Sequence, residues 1–77
     1  MEDKIKSDEI KIGDNIRLMR KNRNIGQTEL VRMLQLQGIE ITRESLVKIE
    51  RGIQHIKATQ LRAIRDVLNT SYDELLK

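Results

Sequence analysis

The chain has 77 residues, a formal net charge of +3 and 35% charged residues, with neither cysteine nor proline. That length allows one small domain. It excludes disulfides and thiolate metal sites; no apolar run approaches the ~20 residues that span a bilayer, and the charged N-terminus is no signal peptide, so a cytoplasmic protein is expected. Tyr72 is the single aromatic, so the core must be aliphatic, and Leu, Ile, Met and Val at helical spacing predict an all-α fold.

Residues 1–7 mix charges without periodicity and read as a flexible N-terminal arm, with residues 8–77 as the folded domain. Ile5, Ile10 and Ile12 either extend the first helix or pack as an arm. That helix is expected to begin between residues 7 and 14. Ile12, Ile16 and Met19 form its i, i+4, i+7 stripe, and it ends near 22–24 with Ile25 pinning the turn. The second helix opens at Gly26 or Gln27 and turns Leu30, Val31 and Leu34 inward.

Seven residues, 35–41, then separate Leu34 from Thr42, against the ~3–4 of an ordinary helix-turn-helix. One more turn of helix, ~3.6 residues, carries the second helix to Gln37. Gly38 then falls at C′, and 39–41 cross to the third helix. Thr42 is a natural N-cap and Gly52 a natural C′ stop. Between them Leu46 and Ile49 face inward while Arg43, Glu44 and Lys48 face outward. A fourth helix over 57–68 buries Leu61, Ile64 and Leu68, with Lys57 a poor cap because it offers no acceptor. A fifth begins after Ser71, where Glu74 completes a capping-box pattern.

Charge is unevenly spread. Residues 1–14 are net −2 and 66–77 net −2, whereas 15–65 carry eleven Lys and Arg against four acids, a net of +7. A basic middle is the electrostatic footprint of a phosphate-binding face. Within it, a two-turn helix with an apolar back and the long polar front of Arg43, Glu44 and Lys48 suits a DNA major groove. Arg43 is the strongest candidate reader, since its planar fork fits guanine O6 and N7. Glu44 either accepts from cytosine N4 or pairs with Lys48 four residues on. Ser45 can reach a base or a phosphate, and Thr42 can join a phosphate contact to its cap role. Arg51, Gln54, His55 and Lys57 follow the third helix and are expected to meet phosphate. His55 is the only histidine and lacks partners for catalysis or metal binding. With no paired carboxylates, nucleophile–base set or phosphate loop, no enzyme, cofactor or metal is expected.

Four pieces in order carry a resemblance: Ile16-Arg17-Leu18-Met19-Arg20, Gln27-Thr28-Glu29-Leu30, Thr42-Arg43-Glu44-Ser45-Leu46-Val47-Lys48-Ile49-Glu50-Arg51-Gly52 and Ser71-Tyr72-Asp73-Glu74-Leu75-Leu76. Over about residues 13 to 76 the chain resembles the helix-turn-helix regulators of the phage repressor and Cro type, the xenobiotic-response-element family. The segment Leu34-Gln35-Leu36-Gln37-Gly38 is similar to that of a subset with an elongated turn. The resemblance implies a compact five-helix, lambda-repressor-like DNA-binding domain. It implies that Gln27, with Thr28 beside it, meets a DNA phosphate at the second helix's N-terminus and braces the recognition helix. It implies that Arg43, Glu44 and Lys48 face bases, and that Arg20 and Glu50 form a partly buried ion pair fixing how that helix docks. The chain departs from the pattern at the long turn, at Val31 in place of a usual alanine, at Ile56 where proline is common, and at Leu18 and Leu36, which are usually polar.

The expected function is therefore sequence-specific binding to double-stranded DNA as a transcriptional repressor, cytoplasmic and nucleoid-associated. A homodimer is expected on a two-fold operator. With no separate dimerisation domain after Lys77, its contacts fall to the domain itself: helix 5, or Leu18 and Leu36. The alternative is a protein-binding module on the same fold, antitoxin-like or an adaptor, using Leu36, Ile39 and Ile41 of the long turn.

Overall fold

A computed structural model describes Lys4, Ile5 and residues 11–77. Five helices follow one another: α1 (Ile12–Asn22), α2 (Gln27–Leu36), α3 (Arg43–Glu50), α4 (Ala58–Val67) and α5 (Tyr72–Leu75). Two short strands, β1 (Lys4–Ile5) and β2 (Ile56–Lys57), pair antiparallel with Lys4 opposite Lys57 and Ile5 opposite Ile56. No strand was expected, because two residues are too few to show an alternating pattern. Of the expected arm, residues 1–3, 6 and 7 lie outside the described residues, as does Ile10.

The core is aliphatic throughout. Ile12, Ile16, Leu30, Leu34, Leu46, Ile64, Leu68 and Leu75 are its fully buried large side chains, joined by Met19, Val31, Ile41, Ile49, Ile56 and Leu61. Each such side chain stabilises the fold by ~1.5–3 kcal/mol relative to exposure. α3 packs against α1 and α2, α2 also packs on α4, and α1 on α5. α1 begins tightly against the end of α3. A Cβ added to Gly13 would lie 2.2 Å from the Ile49 carbonyl oxygen, so only glycine lets the two helices meet there. At the other end of the chain, Asn15 Nδ2 donates to the carbonyl oxygens of Leu75 (2.8 Å) and Lys77 (3.0 Å), tying α5 to α1.

The first four helices end in the same way. At each end, one residue with positive φ follows the C-cap: Asn24 (57°), Gly38 (82°), Gly52 (78°) and Asn69 (53°). The next N–H then reaches back five residues, from Ile25 to Arg20, Ile39 to Leu34, Ile53 to Lys48 and Thr70 to Arg65. These are Schellman motifs, which satisfy carbonyls that a helix end leaves free.

The long turn follows from the second of these motifs. α2 extends to Leu36 with Gln37 as C-cap, Gly38 reverses the chain, and Ile39 packs on the core. Ile41 is buried. Gln35 Nε2 donates to the Ile41 carbonyl (3.0 Å) and buried Gln60 donates to that of Glu40 (3.4 Å), fixing the crossing. The surface imagined for a protein partner is corrected by this path. Ile41 belongs to the core and Ile39 is half-buried, so Leu36, 80% exposed, is all that faces outward. At α4, Lys57 makes no side-chain cap; instead Gln60 Oε1 accepts from the Lys57 N–H at 3.0 Å.

Candidate nucleic-acid interface

α3 has a start and a stop written into its sequence. Thr42 Oγ1 accepts from the Ser45 N–H at 3.1 Å, and Gly52 ends the helix in the left-handed region. At ~100° per residue, Leu46, Ile49 and Glu50 fall on one side and are buried. Glu44 and Lys48 fall opposite and are exposed; Arg43 is exposed on one flank, with Val47, one turn further on, half-buried. Ser45 lies half-buried on the other flank. Glu44 and Lys48 form no ion pair with each other, so the pairing weighed for them is not what the structure contains.

The buried end of α3 is held by charge. Arg20 Nε and Nη2 donate to Glu50 Oε2 and Oε1, each at 2.8 Å. Both side chains are over nine-tenths buried. The third guanidinium nitrogen, Nη1, donates to the Ile25 carbonyl at 2.9 Å. The hydrogen bond to Glu50 holds the Arg20 guanidinium even further above its ordinary range, against the opposing pull of burial. Gln27 Nε2 adds a bond to Glu50 Oε1 at 3.1 Å. Glu50 thus ties α1, the first residue of α2 and the end of α3 into one joint, and no described buried side-chain polar atom lacks a partner. The guanidinium fork matches a carboxylate in two parallel bonds, which fixes orientation as well as distance.

Around the exposed face lie other candidates. Gln27 is half-buried and Thr28 exposed in the first turn of α2. The cap there, Gly26, supplies no side-chain acceptor, so the turn's N–H groups stay open to an anion. Arg51, the C-cap of α3, is exposed, as are Thr42, His55 and Lys57. Gln54 is half-buried, and its Nε2 donates to Ser45 Oγ at 2.6 Å. Sequence reasoning placed Gln54 near phosphate but missed this bond, because nothing in a run of residues reports a side-chain contact across a loop. It also passed over Val47 and the close approach at Gly13.

A helix-turn-helix family model matches residues 16–75. No curated protein and no solved structure matches the chain. Among the described residues no helix is long and apolar enough to cross a membrane. The match takes in α1 from Ile16 onward, both helices of the long-turned pair, and α4 and α5, and the chain belongs to the Cro/C1-type helix-turn-helix family of DNA-binding regulators.

Proposed function

We propose that the chain is a sequence-specific repressor that binds duplex DNA as a homodimer and reads the major groove with α3. The observation that carries this is the division of α3. Its inner side is locked by Leu46, Ile49 and the Arg20–Glu50–Gln27 joint, while Arg43, Glu44 and Lys48 stand exposed. A reading helix needs both: a fixed pose, and side chains free to meet base edges. Arg43 then pairs with guanine, Lys48 and Glu44 meet neighbouring bases, and Val47 suits a thymine methyl. Thr28, Thr42, Arg51, His55 and the α2 N-terminus with Gln27 hold phosphates. Dimer contacts fall to exposed Leu18 and Leu36 or to the apolar hollow of about 220 Å³ between Ala58, Leu61, Tyr72 and Leu76.

Selection of the purified protein on a random duplex library tests this directly. The expected result is a two-fold site whose half-sites are centred ~10–10.5 base pairs apart or a multiple of that, with affinity that falls steeply with salt. Absence of binding at both low and physiological salt removes the reading.

A further inference from the structure

The loop that leaves α3 returns to it. Gly52 reverses the chain, the Ile53 N–H bonds back to Lys48, and Gln54 comes to lie beside the first turn of the helix. There its Nε2 donates to Ser45 Oγ at 2.6 Å, across nine positions of sequence. Arg43, Glu44 and Lys48 have no such brace from a described residue, so Ser45 is the one outward position of α3 oriented by another side chain.

A serine hydroxyl carries one proton and two lone pairs, and by rotating it serves as donor or acceptor. In a helix the usual sink for its proton is the carbonyl four residues back. Here that is Ile41, which precedes the Thr42 N-cap and lies outside the helix, its carbonyl accepting from Gln35 Nε2 at 3.0 Å, so the first turn offers Ser45 no helical carbonyl at that position. The Gln54 amide occupies one side of the Ser45 oxygen. The hydroxyl proton is left pointing away from Gln54, with no described residue taking it.

We propose, resting on the reading that α3 enters the groove, that Gln54 is a specificity-determining positioning residue: by occupying one of the two lone pairs of the Ser45 oxygen it biases Ser45 toward donating to DNA. A donor fits the N7 acceptor of a purine and is rejected by cytosine, whose major-groove edge offers N4–H₂. Gln54 therefore acts on base choice through Ser45, and the N–H that it gives to Ser45 is not free for a phosphate.

The experiment compares the wild-type chain with Gln54→Ala, Ser45→Ala, the double variant and Gln54→Glu. Each is titrated on the selected duplex and on duplexes carrying cytosine at each position in turn. Wild type is expected to disfavour cytosine at one Ser45-dependent position per half-site by about five- to tenfold, within what one base contact supplies. Gln54→Ala should reduce that ratio several-fold at that position alone, with the salt slope unchanged. Ser45→Ala should abolish it, and adding Gln54→Ala should change nothing further. In Gln54→Glu the new carboxylate can only accept, so it draws the hydroxyl proton to itself and the preference should move toward cytosine. Equal weakening on every duplex with a smaller salt slope would assign Gln54 to phosphate and overturn the proposal. So would additive effects of the two alanine variants, or a wild type that favours cytosine at that position. A wild type that binds no duplex removes the groove reading itself, and is told apart from these outcomes by that alone.

Discussion

The two sides of α3 obey opposite rules. On the inner side every polar atom is committed: Glu50 receives three hydrogen bonds, two from Arg20 and one from Gln27, and Arg20 spends its remaining nitrogen on the Ile25 carbonyl. On the outer side Arg43, Glu44 and Lys48 are uncommitted and exposed. The same residue types, arginine and glutamate, are structural in one place and available in the other, and burial is what separates them. Substitutions on the inner side should therefore appear in stability, and those on the outer side in DNA affinity.

The largest effect belongs to the joint. Removing one partner of a buried ion pair leaves the other charge desolvated, at ~3–5 kcal/mol. Arg20→Ala strands Glu50 with only the Gln27 amide; Glu50→Ala strands Arg20 with only a carbonyl. Each is expected to destabilise the domain by about that much in denaturant unfolding, a large share of the ~5–15 kcal/mol that a domain has. The double variant should lose less than the two singles together. Additive losses would mean that the bonds seen between them carry no energy, and the contrast between the two sides of α3 would fail.

The next effect sharpens the contrast along the outer side. Arg43 stands in the first turn of α3 and Arg51 at its C-cap, and both are exposed. Arg43→Ala is expected to cost ~1–3 kcal/mol on the preferred site and to relax preference at one base pair in each half-site. Arg51→Ala should weaken all sequences about equally and lower the salt slope by roughly one. Titration against single-base variants at two salt concentrations separates them. Base-selective loss for Arg51→Ala, with uniform loss for Arg43→Ala, would mean that α3 enters the groove by its other end.

Much of the frame was legible because it is written in local rules. The stripe of Ile12, Ile16 and Met19, the Thr42 and Ser71 caps and the stop at Gly52 each depend on residues within a turn of one another, and each stands in the structure. The long turn was legible for the same reason: Gly38 marks a helix end wherever it follows an apolar-periodic run. What stayed hidden depends on residues brought together by folding. Gly13 looks like any glycine at a helix start until α3's carbonyls are placed beside it. Asn69 in the left-handed region, the pairing of Ile5 with Ile56 and the bond from Gln54 to Ser45 have no local signature. The Arg20–Glu50 pair spans thirty positions and was reached through the family pattern alone.

The smallest effect tests the long turn that delivers α3 to its place. Gly38 sits at φ +82°, and a Cβ built there meets nothing within 4 Å. Gly38→Ala therefore adds no clash, and its cost is the left-handed backbone alone, ~1–2 kcal/mol for a residue with a Cβ. Two other helices of the same chain make the identical reversal with asparagine, at Asn24 and Asn69. Asparagine tolerates that region better than alanine. Gly38→Asn is thus expected to be milder than Gly38→Ala, and both should leave DNA base preference unchanged, since Ile39 and Ile41 still anchor the crossing in the core. Paired thermal melts and the single-base panel read both parts. If Gly38→Asn costs as much as Gly38→Ala, the site is not governed by backbone conformation. If either variant changes base preference, the pose of α3 depends on the turn as well as on the joint at Glu50, and the inner side would no longer be the sole holder of the reading helix.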